Sequence, residues 1–211
     1  MEKQKIILDY LQRLFPDAKC ELNYDTPYQL LIATILSAQC TDKRVNVVTE
    51  RLFAVAPTPK DMLALTDEEL KDIIHSCGFY NNKAKSIKEC TREIVENYGG
   101  QMPIDRDILE SLRGVGRKTA NVVLAECYNE PVIAVDTHVH RVSARLGISE
   151  DKDSPLECEK KLNNTFDKGE LAQLHIRMVH FGRYKCKSQK PECADCEMKN
   201  ICKYYKDKYE R

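Results

Sequence analysis

Four cysteines bunched near the C-terminus constrain the fold of this chain more than any other feature. They form the array Cys186-x6-Cys193-x2-Cys196-x5-Cys202, in which short loops can bring all four sulfurs together. Four thiolates suit either tetrahedral zinc or an iron–sulfur cubane. Structural zinc sites usually pair two CxxC knuckles, whereas only one such spacing occurs here. The array therefore predicts a metal centre, and its uneven loops favour a cluster over a single zinc ion.

Composition indicates a globular protein and says little about its partners. The other six cysteines are scattered singly in helical sequence, as small buried hydrophobic residues are: Cys20, Cys40, Cys77, Cys90, Cys127 and Cys158. The 33 basic and 33 acidic residues cancel, so the global charge gives no sign of nucleic acid. No long apolar run and no secretory leader is present, so we expect a cytoplasmic protein without a membrane span.

Apolar residues recur with helical spacing along nearly the whole chain, which predicts an all-α fold. Ile7, Leu8, Leu11 and Leu14 form the stripe of a first helix, and this stripe needs a packing partner. Thr26-Pro27 and the capping box from Thr66 to Glu69 mark the starts of two further helices. Only residues 132–135 resemble a strand, and that run is short.

Two glycines separated by one residue predict a tight turn between helices, in Leu112-Arg113-Gly114-Val115-Gly116-Arg117-Lys118-Thr119-Ala120. A helix that begins after this turn offers unpaired N–H groups and the positive end of its dipole to an anion. The spacing matches neither a Walker loop nor a dinucleotide-binding fingerprint. The turn alone leaves DNA-backbone binding and an ordinary helix connection equally open.

Asp136 precedes another helical run, in Val135-Asp136-Thr137-His138-Val139-His140-Arg141. Its ordinary role would be to cap that helix. The two histidines are two residues apart and would not share a helix face, which argues against a zinc pair. A carboxylate beside Lys118 could orient the amine and accept a proton, because a lysine must be neutral to attack carbon.

Taken in order, these motifs resemble the endonuclease III family along the whole chain. The resemblance rests on residues 30–39 (LLIATILSAQ) followed by Thr41-Asp42, residues 78–84 (GFYNNKA), the hairpin segment 114–123, residues 135–138 and the cysteine array. Two positions depart from the family pattern. Phe79 stands where members often carry leucine, and Arg113 replaces a common proline.

The resemblance implies a base-excision repair enzyme with a [4Fe–4S] cluster on Cys186, Cys193, Cys196 and Cys202. Lys118 would attack C1′ of the damaged nucleotide with the help of Asp136, releasing an oxidised pyrimidine and cleaving the strand by β-elimination. Gln39 and Phe79 would enter the duplex from opposite sides of the cleft. Further contacts to the damaged double-stranded DNA are expected from Asp42, Asn81, Lys83, Gly114, Gly116, Arg117, Thr119, His138 and Arg141.

We also expect two helical lobes with the DNA-binding cleft between them, in a monomer. One lobe would be a helical barrel over residues 20–131, with the helix-hairpin-helix at about 106–128. The other would combine residues 1–19 with 132–211 and hold the cluster.

Two other functions compete with this interpretation. An adenine glycosylase of the same superfamily would lack the lysine nucleophile and carry a further C-terminal domain, unlike this chain. A non-catalytic DNA-binding module would use the hairpin and a structural metal alone, and the presence of Lys118 together with Asp136 argues against it.

Overall fold

The computed structural model describes residues 2–210, and every regular element in that range is helical. The α-helices, in chain order, are α1 (Glu2–Leu14), α2 (Pro27–Ser37), α3 (Asp42–Val55), α4 (Pro59–Ala64), α5 (Asp67–Ile74), α6 (Tyr80–Tyr98), α7 (Arg106–Ser111), α8 (Arg117–Tyr128), α9 (Thr137–Leu146), α10 (Pro155–Thr165), α11 (Leu171–His180) and α12 (Lys203–Tyr209). Short 3-10 turns span Lys168–Glu170 and Lys199–Ile201, and a π-turn spans Phe181–Lys185. The all-α prediction is confirmed.

Side-chain caps set the starts of several of these helices where the sequence signals indicate. The Thr26 hydroxyl accepts from the Gln29 N–H at 3.2 Å, with proline in the first turn of α2. At α5, Thr66 and Glu69 form a reciprocal capping box. Each cap supplies a partner to N–H groups that have none within the helix.

The chain divides into two compact units, of which one runs from Cys20 to Tyr128. Its centre is α2, which is buried on nearly every face and packs against α3, α6 and α8. α4 and α5 lie against α6, and α7 pairs with α8. A helix that is apolar all round needs neighbours on all sides, and α3, α6 and α8 supply them for α2.

The other unit combines the segment before Cys20 with the segment from Asn129 onward. Its core holds Ile7 and Leu11 of α1, together with residues of α9, α10 and α11. α1 packs against α11, and the Tyr10 ring meets the Phe181 ring edge to face at 6.2 Å. The apolar stripe of the first helix therefore finds its partners in the C-terminal part of the chain.

Residues 132–135, the one strand-like run in the sequence, form neither helix nor strand. Ile133, Ala134 and Val135 are nevertheless buried, so their apolar character reflects burial of an irregular connection that leads into α9. No helix within residues 2–210 has the length and apolar character needed to cross a membrane.

Candidate nucleic-acid interface and metal centre

The turn between α7 and α8 depends on the absence of a side chain at Gly114. Its φ of +79° is a left-handed conformation, and a Cβ there would lie 2.6 Å from the Ser86 Cβ of α6. The turn is closed by the Val115 N–H, which donates to the Leu112 carbonyl at 3.1 Å. The apolar side chains of Leu112 and Val115 are both buried. The hairpin is therefore pressed against α6 at a point where only glycine fits.

Gly116 differs from Gly114, because the space around its Cα is open. It immediately precedes α8, whose first turn contains Arg117, Lys118 and Thr119. Lys118 is exposed and Thr119 is half-buried. An open glycine backbone at the start of a twelve-residue helix is a geometry that suits close approach of an anion.

Two arginines of the hairpin have carboxylate partners within this unit. Arg117 lies 3.3 Å from Glu110 across the turn, and Arg113 lies 3.1 Å from Glu89 of α6. Glu110 also lies 3.8 Å from Arg106. Arg113, which replaces the family's common proline, thus ties the hairpin to α6. Arg117 stays a predicted DNA contact, and its ion pair with Glu110 also links the two helices of the hairpin.

The two side chains predicted to enter the duplex share an unusual backbone conformation. Gln39 has φ +53° and Phe79 has φ +58°, and within residues 2–210 the other non-glycine residues with positive φ are Asn129 and Lys190. Such residues cost on the order of 1–3 kcal/mol and cluster at functional sites. Both side chains are exposed, Phe79 to 66%. Core packing therefore does not explain Phe79.

Both turns belong to the unit from Cys20 to Tyr128. Gln39 follows α2, and Phe79 directly precedes α6. The expectation that they enter the duplex from opposite sides of the cleft stays a prediction, and both side chains are carried by one unit. Asn81 is exposed in the first turn of α6, and Asp42 is half-buried in the first turn of α3.

Lys83 lies inside the protein, with only 7% of its surface exposed. Its ammonium donates to the carbonyls of Leu36 and Ala38, each at 2.8 Å. Burial lowers the pKa of Lys83, and the thiols of Cys77 and Cys40 act in the opposite direction. The sequence-based prediction that Lys83 contacts DNA is corrected, since its ammonium is bound to carbonyls at the end of α2.

Asp136 caps α9: its carboxylate accepts from the Val139 N–H at 2.7 Å. The two histidines that follow have different surroundings, as their spacing predicts. His138 lies 3.3 Å from the Arg141 guanidinium, whereas the His140 ring lies 2.7 Å from the Asp153 carbonyl.

Arg141 points toward the cysteine loop. Its guanidinium donates to the Gly182 carbonyl at 2.7 Å and to the Cys186 carbonyl at 3.3 Å. The helix behind it packs so closely on the π-turn that a Cβ on Gly182 would lie 2.9 Å from the His138 Cβ. Arg141 and His138 stay predicted DNA contacts, and Arg141 also clamps the loop.

The four cysteines of the array line one cavity. Leu146, Phe181 and Met198 supply buried apolar side chains to its wall. Within residues 2–210, no group of three or more His, Cys, Asp or Glu side chains is arranged to hold a single metal ion. A [4Fe–4S] cluster takes four cysteine thiolates, and all four cysteines of the array contribute to this cavity.

Arg145 is a residue of this centre that the sequence reasoning missed. It donates to the Cys186 sulfur at 3.3 Å and to the Lys187 carbonyl at 2.7 Å, and it lies over the Tyr204 ring at 4.5 Å. Its position four residues after Arg141, on the same face of a helix, was the available signal. The two arginines together hold the start of the cysteine loop.

Comparison with known proteins identifies the class. The sequence profile of the HhH-GPD superfamily of base excision DNA repair proteins matches residues 32–168. Endonuclease III of Bacillus subtilis (strain 168) is 49% identical over 203 residues, which cover 96% of this chain and 93% of that protein.

Solved structures agree with this class. A non-covalent endonuclease III–DNA complex is 48% identical with a TM-score of 0.92, over 99% of both chains. A trapped endonuclease III–DNA covalent intermediate is 49% identical with a TM-score of 0.91, over 97% of both chains. The chain is thus a base excision DNA repair protein of the HhH-GPD superfamily. Within it, the chain belongs to the endonuclease III family, and the family prediction is confirmed.

The contact between Gly114 and Ser86 makes the first testable prediction. Gly114→Ala should lower stability by about 2–4 kcal/mol, because an alanine there adds left-handed strain to an overpacked contact. The measurement is the midpoint of thermal unfolding. Gly116→Ala is the matched control and should leave that midpoint nearly unchanged, since the space around Gly116 is open. Equal midpoints for the Gly114 variant and the parent protein would contradict the account of the hairpin.

Proposed function

We propose that the protein is a DNA glycosylase and abasic-site lyase that removes oxidised pyrimidines from damaged double-stranded DNA. The observation that carries the proposal is the exposed Lys118 in the first turn of α8, directly after an open glycine turn. Near-complete similarity to endonuclease III structures that contain DNA supports it. We place the enzyme in the cytoplasm, where it acts as a monomer.

Lys118 is the nucleophile in this proposal. Its amine nitrogen forms a bond to C1′ while the bond between C1′ and the base breaks, and the base leaves with the bonding electrons and a proton. The nucleotide must first leave the stack, because C1′ cannot be attacked inside the duplex. Ring opening gives an imine, loss of a C2′ proton follows, and the 3′ phosphate departs. The amine is regenerated by hydrolysis.

Asp136 stabilises the positive charge that develops on the sugar as the base leaves. Its capping bond to the Val139 N–H involves one carboxylate oxygen. A carboxylate has about four lone-pair sites, so capping α9 and facing a cationic substrate are compatible. The cap also fixes the orientation of the carboxylate.

DNA is held mainly through backbone groups. The N–H groups at the start of α8 and the open Gly116 receive a phosphate. Gln39 and Phe79 fill the space that the flipped nucleotide leaves, and their strained, exposed turns support this role. Asp42, Asn81, Arg117, Thr119, His138 and Arg141 complete the proposed contact set.

Cys186, Cys193, Cys196 and Cys202 would hold a [4Fe–4S] cluster, which makes the unit that contains residues from Asn129 onward an iron–sulfur domain. When bound, the cluster ties together a loop that is otherwise built from short turns. Its role is structural.

Lys118→Gln should reduce the rate of strand cleavage and the yield of the borohydride-trapped adduct by about a thousandfold or more, because no imine can form. DNA binding should persist, since the backbone N–H groups remain. The measurement is the yield of covalent protein–DNA adduct on an abasic duplex. An undiminished adduct with the Lys118 variant would exclude Lys118 as the nucleophile.

Asp136→Asn should slow base release roughly a hundredfold, while Asp105→Asn, the same change at the cap of α7, should not.

Phe79→Ala should reduce base release from duplex DNA roughly tenfold to a hundredfold, the equivalent of about 1–3 kcal/mol of lost stacking. Thermal stability should hardly change, because the side chain is 66% exposed. Phe79→Leu, which installs the residue common in the family, should retain most activity. Val55→Ala removes another exposed apolar side chain and serves as the control. A large loss of stability with full activity would contradict the wedge role.

The purified protein should be brown and contain iron and sulfide. Cys196→Ser should lower its iron content and its visible absorbance, since one of the four ligands is lost. Cys158→Ser, at a buried cysteine outside the array, should leave both unchanged. A colourless, zinc-loaded and fully active protein would refute the cluster.

A further inference from the structure

α6 carries two buried lysines, and the ammonium of each binds the carbonyl groups at the C-terminal end of another helix. Lys83 and Lys88 are 7% and 8% exposed. The Lys88 ammonium donates to the carbonyls of Met62, Leu63 and Leu65 at the end of α4, the first of these at 3.0 Å. The Lys83 ammonium does the same for α2, through Leu36 and Ala38. A cation near the negative end of a helix dipole is a stabilising arrangement, and three donors on one ammonium can serve several carbonyls.

The position of Lys83 distinguishes it from Lys88. The carbonyl of Ala38 that it binds belongs to the residue directly before Gln39. The backbone N–H of Lys83 donates to the Phe79 carbonyl at 3.1 Å, in the first turn of α6. Lys83 is therefore hydrogen-bonded to both turns. Its side chain binds the turn that carries Gln39, and its backbone N–H binds the turn that carries Phe79.

We propose that Lys83 is a positioning residue that joins the Gln39 turn to the Phe79 turn, so that both side chains enter the duplex as one rigid element. The inference rests on the proposed function of these two side chains. Both turns hold a non-glycine residue at positive φ, a conformation that persists only where surrounding structure enforces it. The two bonds of the Lys83 ammonium supply that enforcement on the Gln39 side.

A direct phosphate contact is the alternative role for Lys83. It would require the ammonium to leave two carbonyls at 2.8 Å and to pass from a buried site to the surface. The two roles predict different salt dependence. Loss of a phosphate contact lowers the slope of log affinity against log salt by about one, whereas loss of a positioning residue leaves the slope unchanged.

The test compares Lys83→Met with Lys88→Met in the full-length, cluster-containing protein. Both changes remove a buried ammonium and leave helix-end carbonyls without their partner, so both should lower the thermal midpoint to a similar degree. Only Lys83→Met should slow single-turnover base release from a thymine-glycol duplex, roughly tenfold to a hundredfold, as a misplaced group does. Lys83→Arg keeps a cationic donor and should recover part of that loss.

A single-stranded abasic substrate separates positioning from a general loss of fold. Without a partner strand there is no gap to fill, so Lys83→Met should cleave it at close to the parent rate. A double-mutant cycle adds a second readout: Lys83→Met should cost little in a protein that already carries Gln39→Ala, because the two act through one element.

Three outcomes would overturn the inference. They are an equal loss of duplex activity in Lys83→Met and Lys88→Met, a salt slope reduced by about one, or additive effects of Lys83→Met and Gln39→Ala. Failure of the proposed function would be recognised separately, because the parent protein itself would then leave both substrates uncut.

Discussion

The peptide groups at the ends of helices have no partner within the helix, and in this chain the proposed chemistry is located at those ends. Gln39 follows the end of α2, Phe79 precedes α6, Lys118 lies in the first turn of α8, and Asp136 caps α9. An all-helical fold composed of short helices has many such ends. Where an end is left open to solvent, as at Gly116, an anion can take the place of the missing partner. Structure and proposed activity therefore draw on the same unpaired backbone groups.

Cationic side chains satisfy several of the carbonyl ends, and this explains why basic residues of the chain are poor guides to a DNA surface. Lys83 and Lys88 bind carbonyls inside one unit, and Arg141 and Arg145 bind carbonyls of the cysteine loop in the other. Buried carbonyls without hydrogen-bond partners would destabilise the fold, so these side chains stabilise the structure by donating hydrogen bonds to them. The net charge of zero likewise gives the chain no global basic excess. Recognition of a phosphate by backbone N–H groups is consistent with that composition.

Local signals in the sequence predicted a large part of the fold, and long-range contacts account for the rest. The all-α class and the caps at Thr26, Thr66 and Asp136 all follow from short patterns. The caps of α4 and α10 carry the same signals, at Thr58 and Ser154, and could have been predicted. The burial of Lys83 could not, because its carbonyl partners are more than forty residues away in sequence. The positive φ of Gln39 and Phe79 likewise has no local signature, since neither residue type favours it.

Arg113 shows how the same hairpin can be held in place without the proline that the family often carries there. A proline would restrict the backbone before the turn, whereas Arg113 contributes an ion pair to Glu89 that is about half exposed. Exposed pairs contribute only about 0–1 kcal/mol, so this pair cannot carry the rigidity of the turn. That rigidity comes from Leu112 and Val115, which are buried, and from the close approach of Gly114 to Ser86. Since the Arg113 ion pair and the contact of Gly114 with Ser86 both lie against α6, the substitution at Arg113 does not cover the open backbone at Gly116, where the proposed phosphate would bind.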